Sequence, residues 1–184
     1  MLILASNSPR RKEILEKLQF NFICDPVDVD ETVCDNVQFS QVAELLALRK
    51  AEAGFRLHPN DTVIGSDTVV VVKDRILGKP KDKLDAKVML KLLSGNIHKV
   101  YTGVAIINAQ KTVSFTECSE VAFDNLSDSE IDDYISSGEP MDKAGSYGVQ
   151  GLGCRFIKWI KGDYYNVMGL PANRLYRELK GMDI

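Results

Sequence analysis

Along this chain the apolar positions switch between strand-like runs and helical spacing, and each switch marks an element. Leu2-Ile3-Leu4-Ala5 is a short unbroken apolar run, as in a buried strand, and Ile14, Leu15 and Leu18 follow at helical spacing. Between them Ser6-Asn7-Ser8-Pro9-Arg10-Arg11 is polar. Ser8 suits a helix N-cap and Pro9 the first helical position, where a backbone N–H would have no partner. Phe20 to Cys24 reads as a second strand, followed by an acidic loop from Asp25 to Glu31. A helix from Ser40 to about Gly54 then carries Val42, Leu45, Leu46 and Ala53. Thr62 to Gly65 and Val69 to Val72 make a nearly continuous β-branched run, the pattern of a strand covered on both faces. A turn at Lys73-Asp74 leads back through Arg75-Ile76-Leu77. The next helix, capped near Asp82, carries Leu84, Val88, Leu92 and Leu93 before Ser94-Gly95.

The second half is strand-rich at first. Ile97 to Ile107 and Thr112 to Phe123 flank Asn108-Ala109-Gln110-Lys111 and predict a long hairpin. Ser127-Asp128-Ser129-Glu130 is a capping box, with Leu126 and Ile131 placed to staple the helix entry. That helix ends at Gly138, and a glycine-rich stretch to Gly153 follows. A strand from Arg155 to Lys161, a loop from Gly162 to Pro171 and a helix carrying Leu175, Tyr176 and Leu179 complete the chain. Strands and helices mix without a strict βαβ rhythm. The pattern predicts a mixed α/β fold, with two lobes around a ligand cleft, within one domain over residues 1–184.

Composition narrows the function classes. The 184 residues are 45% hydrophobic and 27% charged, as in an ordinary globular protein, and a formal charge of −3 argues against a general nucleic-acid binder. No apolar run reaches the roughly 20 residues of a membrane helix, and no signal-peptide pattern opens the chain, so a cytoplasmic protein is expected. Cys24, Cys34, Cys118 and Cys154 show no C-x-x-C spacing and are expected as mostly buried thiols, without a disulfide framework or a zinc site. His98 sits in an alternating strand pattern and reads as structural or surface.

Two features break local rules. Arg10, Arg11 and Lys12 put cations in the first turn of a helix, although the helix dipole favours acids there. A docked polyanion resolves the conflict, since N–H groups, dipole and two guanidinium forks would all address it. A solvated basic turn gives the same pattern. On the docking reading, loss of either arginine would weaken ligand use and spare, or slightly raise, the stability of the empty protein. The second feature is Asp67, which interrupts an apolar run beside Gly65 and Ser66. A buried carboxylate needs a partner, and Gly65 suggests a bulge aiming it into a cleft. A strand-end turn with a solvated acid is the alternative. Lys79, between Gly78 and Pro80, could act as a point charge on phosphate. Glu31 could meet a hard cation. Neither a Walker motif nor a G-x-G-x-x-G turn occurs.

Ser6-Asn7-Ser8-Pro9-Arg10-Arg11, Asp30-Glu31, Arg49-Lys50-Ala51, Gly65-Ser66-Asp67-Thr68, Gly78-Lys79-Pro80, Ser94-Gly95, Asp142-Lys143-Ala144-Gly145, Gln150-Gly151 and Gly169-Leu170-Pro171 stand in this order along nearly the whole chain. In this it resembles the Maf proteins, nucleoside triphosphate pyrophosphatases. The resemblance implies a mixed, elongated sheet flanked by helices, similar to the inosine-triphosphate pyrophosphatases. It further implies hydrolysis between the α- and β-phosphates with Mg²⁺ or Mn²⁺ as cofactor. Asp67 matches the proton acceptor, and Ser6, Arg10, Arg11, Glu31, Lys50, Lys79 and Gln150 match residues that line the site. Asp67 and Glu31 would position metal and water, and whether Asp67 is base or metal ligand stays open, since a carboxylate can do either. The positions matching Arg10, Thr68 and Gln150 bear on substrate choice. Thr68 and Gln150 resemble the dTTP/UTP subgroup rather than the 7-methyl-GTP subgroup, while Ser66 departs from that subgroup's usual Ala. The partner implied is a small-molecule nucleotide, not a nucleic acid or a membrane, and a homodimer is compatible with it. The rival reading is a non-catalytic nucleotide-binding regulator, since family members are linked to septum formation. Such a protein would keep the arginines without needing Asp67 and Glu31 together.

Overall fold

β1 (Leu2–Leu4) is buried at every position and pairs in parallel with two strands, which explains its unbroken apolar run. A computed structural model describes residues 1–34, 37–182 and 184. α1 (Pro9–Lys17) buries Ile14 and Leu15, and β2 (Phe22–Cys24) returns beside β1. α2 (Phe39–Leu57) extends one residue before and three beyond the span read from the sequence. β3 (Thr62–Val72) then crosses as one strand, straight through Gly65-Ser66-Asp67-Thr68. β4 (Arg75–Leu77) pairs with it antiparallel across Lys73-Asp74, both at positive φ, 47° and 57°. This is the backbone a two-residue turn requires, here carried by residues other than glycine.

α3 (Lys83–Leu93) is capped by Asp82, whose side chain accepts from the amide of Asp85. It buries Ala86, Met89, Leu90 and Leu93, whereas Leu84 and Val88 are 72% and 59% exposed. Of the apolar positions read from the sequence, Leu93 is buried and Leu92 packs against the same core, while Ala86, Met89 and Leu90 face inward in place of Leu84 and Val88. β5 (Ile97–Ile107) and β6 (Thr112–Phe123) form the hairpin, closed by Asn108, whose side chain accepts from the amides of Gln110 and Lys111. α4 (Asp128–Ser136) begins with the complete capping box, and Leu126 packs into the same cluster as buried Ile131. β7 (Ile157–Lys161) pairs antiparallel with β6. The stretch read as a loop after Gly162 contains a short helix, α5 (Tyr164–Met168), and α6 (Ala172–Lys180) buries Leu175 and Leu179.

The strands join in one mixed seven-stranded sheet, ordered β2-β1-β3-β5-β6-β7, with β4 attached to β3. Contacts divide the chain into two units. Unit 1 holds Met1–Thr68, Thr102–Glu117 and Gly169–Ile184, and unit 2 holds Val69–Tyr101 and Cys118–Met168. Unit 2 contains a large core built on Leu90, Leu93, Val100, Tyr134 and Phe156. His98 is buried in it, bonded through Nε2 to the Tyr147 hydroxyl at 2.7 Å and edge-on to Phe123, so it is structural. In unit 1 the helix–sheet contact is made by very small residues. Ala43, Ala47 and Ala51 recur every four positions on α2, and all are fully buried. A β-carbon on Gly65 would overlap the Ala47 carbonyl, and one on Gly103 would overlap the backbone of Ala43 and Glu44. Gly65 thus admits a helix against a continuous strand, which corrects the bulge expected there.

The cysteines also depart from expectation. Cys24, Cys34, Cys118 and Cys154 are thiols, and all four are exposed. No helix among the described residues is long and apolar enough to cross a membrane.

Candidate active site

The close seating of α2 on β3 sets the centre of the site in unit 1. Lys50 precedes Ala51, which packs against Gly65, and its ammonium donates to Asp67 Oδ1 at 2.6 Å. The same nitrogen lies 2.7 Å from Glu31 Oε1. Lys50 and Asp67 each keep only 14% of their side-chain surface, whereas Glu31 is 61% exposed. Asp67 is therefore the paired, sheltered acid that its apolar surroundings demanded, and Lys50 is its partner. From the residues alone Lys50 read as a surface position of a helix.

The loop carrying Glu31 is held from the same helix. Arg49 Nη1 donates to the carbonyls of Asp30 and Thr32, both at 2.7 Å, and so grips the backbone on either side of Glu31. Asp30 turns its carboxylate back onto Thr32, and the hydrogen bonds from that residue's side chain and amide hold its pKa below the ordinary carboxylate range. Arg49 had no assigned role in the sequence. Its only signal was adjacency to Lys50 in a shared motif.

Arg11 is built differently from the expected phosphate fork. Its Nε donates to the Gly169 carbonyl at 2.9 Å, Nη1 to Ser6 Oγ at 3.2 Å and Nη2 to Thr68 Oγ1 at 3.3 Å. Three of the five N–H groups of a guanidinium are thus engaged inside unit 1. Burial pulls its pKa down, opposed by the charge of nearby Asp67. The expectation that losing Arg11 would leave the empty protein unharmed does not fit this geometry. Arg11 pins α1, β3 and the Gly169 turn together. Arg10 is half-buried beside it, near enough that the two cations repel. Ser8 occupies the N-cap, yet its side chain makes no capping bond. Its amide donates instead to Ser6 Oγ at 3.2 Å. The first turn of α1 contains no acid.

Ser66 and Thr68 complete the network. Ser66 Oγ lies 3.0 Å from the Gly103 carbonyl and 3.1 Å from that of Gly169, and Thr68 Oγ1 lies 3.0 Å from Thr102 Oγ1. The hydroxyl that distinguishes Ser66 from alanine is therefore buried and bonded. Ser6, Arg10, Arg11, Glu31, Lys50, Asp67 and Thr68 all belong to unit 1, and Lys79 and Gln150 belong to unit 2. Lys79 is exposed in a loop whose Gly78 carbonyl accepts from the amide of Gly145, and Gln150 is exposed between buried Val149 and half-buried Gly151.

Two carboxylates meeting on one cationic nitrogen also suit a divalent metal. Among the described residues no group of three or more His, Cys, Asp or Glu side chains could hold a metal ion. Mg²⁺, however, is commonly held by one or two carboxylates together with substrate phosphates. Asp67 and Glu31 fit that pattern.

Comparison with known proteins agrees with the fold and shows the family. The family model described as "Maf-like protein" matches residues 1–182. A protein of Bacillus mycoides (strain KBAB4), named dTTP/UTP pyrophosphatase, is 53% identical over 99% of this chain and 95% of its own length. A protein of the same name from Bacillus cytotoxicus is 52% identical over 98% of this chain and 95% of its own length. Among solved structures, the Staphylococcus aureus Ham1 protein matches with a TM-score of 0.51 at 16% identity, covering 98% of both chains. At that identity the likeness concerns the fold.

Proposed function

This chain belongs to the Maf-like family, and from that membership we propose that it hydrolyses dTTP and UTP between the α- and β-phosphates, releasing the monophosphate and pyrophosphate. The observation that carries the reading is Lys50 joined to both Asp67 and Glu31, with Arg10 and Arg11 close by. The name borne by relatives of half-identical sequence supports the choice of substrate.

In this reading Asp67 takes the proton of the attacking water, within reach of the Lys50 ammonium. Arg10 and the acid-free start of α1 receive phosphate oxygens, where N–H groups and the helix dipole favour negative charge. Arg11 holds Ser6 and Thr68 in place through its bonds to their hydroxyls. Together Arg10, Arg11 and Lys50 exceed Asp67 and Glu31 by one positive charge, which suits an anionic ligand. Asp67 and Glu31 would hold a divalent cation, which when bound neutralises phosphate oxygens and the departing pyrophosphate. Lys79 as a phosphate contact and Gln150 as a reader of the base rest on the family resemblance, and each is testable by its own substitution.

The test is a panel of nucleoside triphosphates with separate detection of pyrophosphate and orthophosphate, with and without a chelator. Pyrophosphate from dTTP and UTP, lost on chelation, is the expected result. Diphosphate plus orthophosphate as products would overturn the reaction. A preference for 7-methyl-GTP would move the substrate while leaving the chemistry.

A further inference from the structure

The reading above leaves one polar cluster in unit 2 unused. Tyr134, fully buried on α4 and edge-on to Phe156, donates its hydroxyl to Glu139 Oε1 at 2.9 Å. The same hydroxyl accepts from the amide of Gly148 at 3.1 Å. Glu139 Oε1 also accepts from the amide of Gly153 at 3.1 Å, and Oε2 from that of Leu152 at 2.7 Å. One carboxylate and one phenol therefore grip both ends of the segment from Gly148 to Gly153. A β-carbon on Gly151 would run into the Glu139 carboxylate, so the backbone is wrapped closely around it. Burial opposes the charge of Glu139, yet the amide bonds, Tyr134 and Lys143 keep its pKa below the ordinary value.

Such an arrangement answers a specific difficulty. Gly148, Gly151 and Gly153 let the chain fold this tightly, but glycine makes a segment costly to order. Gln150 is exposed in the middle of that segment, and Leu152 is exposed near its end. An amide that selects a base by hydrogen bonds must be held in place by its supports, or the discrimination blurs. We propose that Glu139 and Tyr134 are positioning residues for Gln150, and that their clamp on the Gly148–Gly153 segment sets selectivity for the pyrimidine base. The inference rests on the proposed function. The shape of the clamp does not.

Glu139→Gln keeps the volume but turns an NH2 group toward backbone N–H donors, and Tyr134→Phe removes only the hydroxyl. Three measurements decide. Hydrogen exchange of the empty protein should quicken at the amides of Gly148, Leu152 and Gly153 in Glu139→Gln. Unchanged exchange there overturns the clamp. The kcat/KM for dTTP and UTP should fall about tenfold, chiefly through KM, with a smaller loss on purine triphosphates. Tyr134→Phe should move in the same direction by about threefold. In a Gln150→Ala background, Glu139→Gln should cost little more. A full further loss there, or equal losses on all triphosphates, overturns the positioning role and leaves a purely structural bond. If the unsubstituted protein acts on neither pyrimidine triphosphate, the functional reading and the selectivity role fall together, while the exchange data still judge the clamp.

Discussion

The Lys50 ammonium and the Asp67 carboxylate, 2.6 Å apart, join a helix to a strand at the point where small residues let the two backbones touch. Lys50 also reaches Glu31, so the pair can lose one partner without stranding the cation.

Asp67→Asn should therefore lower kcat by about 10²-fold or more, the usual weight of a general base, while the protein still folds. Lys50 keeps Glu31, and the amide keeps the shape of the acid. Pyrophosphate release at saturating substrate and metal, beside a thermal melt, checks this. A near-normal kcat would make the acid structural.

Arg10 and Arg11 should part company. Arg11→Ala removes three bonds, to Gly169, Ser6 and Thr68; each partner keeps a second bond, but a hydrogen bond from a charged donor still contributes about 1.5–3 kcal/mol. In a domain of this size each kcal/mol shifts Tm by roughly 2–4 °C, so a fall of several degrees is expected. Arg10→Ala should leave Tm nearly unchanged while weakening use of the triphosphate. Melts of both empty variants, with their KM values, separate the roles.

Gly65→Ala and Gly103→Ala should each lift α2 from the sheet, because the added methyl group meets backbone rather than a yielding side chain. Overpacking of this kind costs about 1–3 kcal/mol. The distinguishing result is kinetic. Displacing α2 also displaces Lys50 and Arg49, so kcat should fall by more than the loss of folded protein explains. Denaturant titration alongside single-turnover rates measures both.

His98 makes a pH-dependent contribution whose sign is fixed. Burial holds its pKa at about 3 in the fold, against 6.5 for the exposed ring. The unfolded chain takes up a proton that the folded one refuses. Stability from this group is therefore complete above about pH 6.5 and declines as the pH falls toward 3, by at most ~1.4 kcal/mol per pH unit. Urea unfolding between pH 7 and pH 5 should show this slope, and His98→Asn should flatten it. Glu130 and Glu139, with pKa values below 4.5, act at lower pH and leave that window clear.

What the sequence made legible was what neighbours along the chain decide. The capping box at Ser127, the Asn108 hairpin and the turn at Lys73-Asp74 all rest on contacts within a few residues. What escaped depended on partners far away in sequence. Gly65 looks the same whether it bends a strand or admits a helix, and only the alanines of α2 decide. α3 carries two apolar stripes, and nothing local tells that Met89 and Leu90 turn inward in place of Leu84 and Val88. The acid at Asp67 was legible because burying a charge is costly anywhere. Its partner was not, since a lysine on a helix is usually solvated. Arg11 was found for its charge, but its bonds to Ser6, Thr68 and Gly169 span up to 158 positions.

The turn at Lys73 and Asp74 has a practical consequence. Both residues hold a left-handed backbone that an L side chain resists, at about 1 kcal/mol or more apiece. Asn-Gly is the pair that adopts this turn most readily. Replacing Lys73-Asp74 by it would draw on a reserve of stability that the natural chain has never used. That reinforced background would give Arg11→Ala or Gly65→Ala the margin to be studied as folded enzymes, with their catalytic defects separated from collapse.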